Sequence, residues 1–133
     1  MRNILLIAFA AITFSACKKN RLSEVHDSIQ GRWELRSSTG GFVGPMNYAP
    51  GNGNIVKFTS SHFMYYKMDS LLSETPYTIS VTTNPQSGKL AGKIMDATGY
   101  SFFAEVTADK LHLYHRTIAS DGVILIYTRL NQP

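Results

Sequence analysis

Four histidines, at positions 26, 62, 112 and 115, and nine acidic residues are the side chains of this 133-residue chain that could bind a metal or move a proton. His112 and His115 stand three apart, a spacing that sends them to opposite faces of a strand, and His26 lies in a polar stretch remote from both. Three histidines converge only if His62 and one of the later pair face each other across the fold, so no metal site is expected. Asp69, Asp96, Asp109 and Asp121 stand beside turn-forming residues, where a carboxylate hydrogen-bonds to local backbone. Ser60 and Ser61 have no base and orienting acid at motif spacing, and no Gly-x-Ser-x-Gly, glycine-rich phosphate loop or His-Glu-x-x-His occurs. Gly40-Gly41 and Gly51-Asn52-Gly53 precede no helix start and read as loop. The expectation is a protein without catalytic residues, cofactor or metal.

The one cysteine, Cys17, excludes an internal disulfide and a multi-thiolate zinc site. Its surroundings are more informative. Met1, Arg2 and Asn3 make a short basic start, and residues 4–14 are uncharged and apolar. As a helix that run would span roughly 16 Å, about half of a hydrocarbon core ~30 Å thick, so it is no mature membrane span. A basic start, a short apolar stretch and small residues before a cut form the pattern of a secretory signal peptide. Phe14-Ser15-Ala16-Cys17 resembles the lipobox of bacterial lipoproteins, with Phe14 where an aliphatic residue is commoner. The resemblance implies cleavage after residue 16, diacylglyceryl modification of the Cys17 thiol and acylation of the new amino terminus. Two or three acyl chains exceed what stable anchoring needs, since each buried methylene contributes about 0.8 kcal/mol. The membrane is then one partner. Cleavage removes Arg2 and lowers the formal net charge from +4 to +3, and Lys18, Lys19 and Arg21 beside the anchor suit anionic head groups. No basic stripe with interleaved aromatics follows, which argues against nucleic acid. Lys18 rather than an aspartate after the anchor, and no acidic tract, point to the outer membrane, facing the periplasm.

Those residues must be carried by a single domain, because 133 residues are too few for two, and 44% hydrophobic with 17% charged residues describes a globular chain. The division expected is residues 1–16 as signal peptide, 17–30 as lipidated cysteine and polar tether with a helical turn around 23–29, and 31–133 as the folded domain. From Gly31 the pattern has period two: Trp33 and Leu35 alternate with Arg32, Glu34 and Arg36. Residues 38–53 collect turn-formers and read as a long loop of the kind that is often functional. Strands are then expected over 54–59, 62–69, 76–83, 89–95, 100–106, 111–113 and 123–130, separated by turn signals such as Ser120-Asp121-Gly122. Eight short strands linked by hairpins make an all-β antiparallel meander. Spacing leaves a sandwich and a barrel both open, and eight strands favour closure.

Gly31-Arg32-Trp33, opening the first strand, resembles the Gly-x-Trp motif of lipocalins, and Arg129 in the last strand resembles the arginine that packs over that tryptophan. Residues 58–66 and 109–113 look like hairpin and strand segments of the lipocalin-like domains of small Bacteroidota lipoproteins. The resemblance implies an eight-stranded up-and-down barrel closed at Gly31, Trp33 and Arg129, monomeric, binding a small apolar or amphipathic ligand. Met46, Tyr48, Met64, Tyr65, Tyr66 and Met68 cluster around the long loop and the hairpin after it, and such side chains suit a pocket mouth. Phe42, Met46, Tyr48, Met64 and Tyr66 are the candidate contacts. The plainer reading has half of them in the core and half on the outer wall. The alternative function is a protein-binding envelope module, an accessory subunit or enzyme inhibitor, with a filled barrel.

Overall fold

The computed structural model describes residues 21–42, 44–115 and 122–131. Cys17, the apolar run before it, Lys18 and Lys19 lie outside the described residues, as do Val43, Ser120 and Asp121. The first element is a helix, α1 (residues 21–29), in which Leu22, Val25 and Ile29 recur at helical spacing. It stops at Gln30, whose amide bonds back to Asp27 (3.3 Å), before Gly31 at φ 118°.

Nine strands follow: β1 (Gly31–Gly40), β2 (Met46–Asn47), β3 (Asn54–Phe58), β4 (His62–Lys67), β5 (Ser70–Thr83), β6 (Leu90–Asp96), β7 (Ser101–Thr107), β8 (Lys110–His115) and β9 (Val123–Arg129). All pairings are antiparallel. Each strand from β3 to β9 pairs with the next, and β9 returns to β1, from Trp33 opposite Arg129 to Gly40 opposite Val123. The result is a closed eight-stranded up-and-down barrel, with β2 as an extra two-residue strand against Ser37 and Ser38 of β1.

The register assigns each side chain to a face. Trp33, Leu35, Val56, Phe58, Phe63, Tyr77, Ile94, Phe102, Ala104, Leu111, Leu113 and Tyr127 form the core with Ile29, and residues between them along each strand point outward. Edge-to-face ring contacts link Phe63 to Phe102 (5.6 Å) and Phe58 to Tyr77 (5.9 Å). At the top of the β1–β9 seam the backbones approach so closely that a Cβ on Gly40 would sit 2.0 Å from the Gly122 carbonyl oxygen; only glycine fits there.

Three segments differ from the sequence expectation, each for a local reason. β5 begins at Ser70, not at residue 76. Leu72 is an extra residue in a bulge, since Tyr66 pairs with Leu71 and Tyr65 with Ser73, and this breaks the period-two signal. Pro76 sits where β5 passes from its pairing with His62 to its pairing with β6 at Tyr77, so its missing N–H interrupts neither ladder. The expected loop over 38–53 is shortened, because β1 runs on to Gly40 and β2 docks beside it. Finally, the second half of the expected tether is α1, which is packed onto the barrel: Ile29 is fully buried, the His26 ring lies 6.3 Å from that of Tyr77, and Val25 reaches within 3.0 Å of where a Gly92 side chain would begin. Ile29→Ala should therefore destabilise the chain by about 2–4 kcal/mol in guanidinium unfolding. An unchanged midpoint would mean that α1 is not part of the fold.

Candidate functional site

The two barrel ends are chemically different. At the end covered by α1, the Arg129 guanidinium lies 4.0 Å from the centre of the Trp33 ring. Its two terminal nitrogens donate to the carbonyls of Gln30 (2.9 Å) and Ser28 (2.7 Å), and the Trp33 indole N–H donates to Ile29 (2.8 Å). Three orphan carbonyls at the end of α1 are thus satisfied by two side chains of the barrel seam. A Cβ on Gly31 would come within 3.1 Å of the Arg129 Nη1, which explains a glycine beside the stack. This end is sealed.

Beside it, the outer face of β1 is also covered. Glu34 is only 4% exposed, and its carboxylate accepts the amides of Gly51 (3.1 Å) and Gly53 (3.2 Å) and contacts the Arg36 guanidinium. Asn52 donates to the carbonyls of Leu35 (2.8 Å) and Ala49 (2.6 Å), and the Tyr48 amide to that of Arg36 (2.8 Å). Residues 48–54 are therefore strapped to the wall over Ile55. Burial raises the Glu34 pKa, but the Arg36 contact and the glycine amides outweigh it and leave the carboxyl below its ordinary value. A second buried carboxylate, Glu105, holds residues 84–89 to the outer wall. It accepts from the fully buried Asn84 (2.8 Å), from Tyr114 (3.3 Å) and from Ser87.

The interior at the other end is lined by polar aromatics. Leu111, Leu113 and His115 alternate inward along β8, and His115 pairs with Val123. The imidazole lies on the ring of Phe102 (4.7 Å between centres), and its Nδ1 is hydrogen-bonded to the Tyr100 hydroxyl at 2.8 Å. Among the described residues its Nε2 is buried without a hydrogen-bond partner. Burial pulls the His115 pKa down to about 4, so the ring is neutral across the physiological range. Tyr65 and Tyr48 pack against the core from the neighbouring walls, and Tyr127 lies within it. Burial raises the Tyr65 hydroxyl to about 12, with a further push from Tyr100; Tyr127 is raised further still by burial and by the nearby hydroxyls of Tyr65 and Tyr48. Neutral hydroxyls and a neutral imidazole can hold the polar end of an uncharged or singly polar molecule.

The residues expected to contact a ligand do not share one surface. Tyr48 packs against the core, and Met46, half-exposed, approaches its hydroxyl (3.9 Å). Phe42 is fully exposed. Met64 and Tyr66 alternate with the inward residues Phe63 and Tyr65, hence lie on the outer wall, where Tyr66 contacts the Met64 sulfur (3.5 Å). The histidines stay apart: His26 reaches the Ser60 carbonyl (3.0 Å), His62 the Ser61 hydroxyl (2.8 Å), and His112 faces outward opposite Glu105. Among the described residues no three metal-ligating side chains come together. His115, Tyr65 and Tyr127 were not among the sequence candidates. The signal that could have found His115 is its place in the inward series after Leu111 and Leu113.

Two measurements check these assignments. Arg129→Ala should cost about 2–4 kcal/mol, and Arg129→Lys should recover little, because an ammonium cannot stack and bond two divergent carbonyls together. Glu34, lowered below its ordinary 4.5, contributes stability that is fully present above that value and is lost as pH falls through its folded-state pKa. Urea unfolding at about pH 7 and about pH 3.5 should show a smaller acid loss for Glu34→Gln than for the native chain; equal losses would remove Glu34 from this role.

Comparison of the chain with known protein families, with curated proteins and with solved structures finds no match.

Proposed function

We propose that this chain is a lipid-anchored, lipocalin-like envelope protein that holds a small amphipathic molecule in the upper part of its barrel. The observation that carries this reading is the buried Nε2 of His115, a polar atom without a hydrogen-bond partner among the described residues, on a ring held between Phe102 and Tyr100. A buried polar group normally finds a hydrogen bond, and leaving one unmade costs about 1–3 kcal/mol. A ligand that presents one polar group to His115 and an apolar body to Phe102, Leu113 and Leu125 would satisfy it. The sealed lower end supplies the rigid, water-excluding base that such a site needs. Anchoring is supported by the Phe14-Ser15-Ala16-Cys17 segment alone, and the outer membrane is the site proposed for it.

A second reading, a protein-binding envelope module, draws on Phe42, fully exposed, and on Leu71 and Leu72, exposed at 51% and 67% near the same end of the barrel. Native mass spectrometry of the full chain released from membranes, with a panel of fatty acids and planar aromatic probes, separates the two. Binding of one molecule per chain is expected, and His115→Phe, which keeps the stacked ring and removes both nitrogens, should abolish it without lowering the melting temperature. No bound mass from cells and none from the panel would leave the protein-binding module standing, with a stoichiometric partner expected on cross-linking in intact cells.

A further inference from the structure

The sealed end of the barrel carries a cationic cleft. Gln30, Gly31, Lys57, Phe58, Thr59, Ser60, Arg129, Leu130 and Asn131 enclose an open space of about 540 Å³, and this lining contains two cations and no carboxylate. Arg32 pairs with Lys57 across β1 and β3, and a smaller recess of about 240 Å³ continues the surface between them, Tyr66 and Asp69. Among the described residues neither Arg32 nor Lys57 is in an ion pair. Around the sealed end Arg21, Arg32, Lys57, Lys89, Lys110 and Arg129 face Glu24, Asp27 and Asp109. Asp69 lines the smaller recess as well; at the opposite end stand Lys67 and Asp96, while Glu34, Arg36, Glu74, Lys93 and Glu105 lie along the walls. Cations thus outnumber carboxylates around the end where α1 lies.

Chain length adds a second constraint. Cys17 precedes the first residue of α1 by four positions, a reach of at most ~14 Å. The ten residues of β1 span about 30 Å, or about 23 Å of barrel height at a tilt near 40°. A leash this short, attached at the α1 end, keeps that end close to the bilayer that holds the lipid.

We infer that the cleft formed by Lys57, Arg129 and the 59–60 turn docks on the phosphate head groups of an anionic membrane, so that the sealed end faces the anchoring bilayer and the tyrosine-lined end faces away. This rests on the lipid anchor proposed for Cys17. It assigns the surface a partner and the barrel an orientation, neither of which the anchor by itself supplies, since a short leash also allows the barrel to lie on its side.

The test uses the full chain, reconstituted in vesicles of about three parts phosphatidylglycerol to seven of phosphatidylcholine, with head-group-attached quencher and a fluorophore on Ser60→Cys or Ser70→Cys. Both serines are exposed, the first beside the cleft and the second at the far rim. Quenching at position 60 should exceed that at position 70 several-fold, and Arg32→Glu with Lys57→Glu should bring the two toward equality. Each removed cation near an anionic surface is worth about fivefold in partitioning. Intact mass keeps the failures apart: a chain without the diacylglyceryl addition overturns the anchor and this orientation together. A lipidated chain quenched equally at both positions, or more strongly at position 70, overturns the orientation alone.

Discussion

Closure of β9 onto β1 is the interaction on which the rest of this structure depends. Every other ladder of the barrel joins neighbours in sequence and needs only a hairpin, whereas Trp33 and Arg129 are brought together from opposite ends of the domain. The entropy of closing so long a loop grows only slowly with its length, so a modest number of well-made contacts can offset it. Here they are concentrated at one corner: an indole, a guanidinium and three carbonyls of α1. Because Arg129 bonds to the end of the helix and stacks on the first strand together, helix, first strand and last strand are fixed by one side chain. Without that corner, β1 and β9 would be two exposed sheet edges, a state prone to pairing with other chains.

The same logic places the two buried carboxylates. Glu34 and Glu105 face outward on strands whose inner sides are apolar, yet both are covered, because a connecting segment folds over each. A segment laid along a barrel wall brings backbone and side-chain donors that need acceptors, and a carboxylate can take several at once. Glu34 takes two glycine amides and an arginine, while Glu105 takes an amide and two hydroxyls. The connections at 48–54 and 84–89 are therefore parts of the wall.

Alternation made most of the strands legible, and the resemblance of Gly31-Arg32-Trp33 and Arg129 to the lipocalin pair pointed to the seam. What escaped were features set by pairing rather than by local sequence. Leu71 and Leu72 are adjacent apolar residues that read as no strand until the bulge opposite Tyr65 and Tyr66 is known. Met64 and Tyr66 have the chemistry of pocket residues, but Phe63 and Tyr65 take the inner face, and a shift of one residue exchanges inside for outside. The nine residues of α1 are largely polar because a narrow face, Val25, His26 and Ile29, meets the barrel, so composition alone resembles a linker. The inward-facing Tyr65, His115 and Tyr127 come from three strands widely separated in sequence, which no local motif records.

The distribution of order also bears on how the interior is reached. The lower barrel is closed by residues with essentially no exposure, Trp33, Phe58, Leu111 and Ile29 among them, and opening it would break the Arg129 corner and the seam together. The upper end is built with less restraint. Met68 and Asp69 take left-handed backbone conformations (φ 47° and 67°) that the two-residue β4–β5 turn demands and that non-glycine residues adopt at a cost. Phe42 gains nothing from packing. Local opening is drawn from the parts of a fold with the fewest buried contacts. The upper rim is therefore the part of the barrel most easily opened, and there the hydroxyl of the partly exposed Tyr100 holds the His115 imidazole.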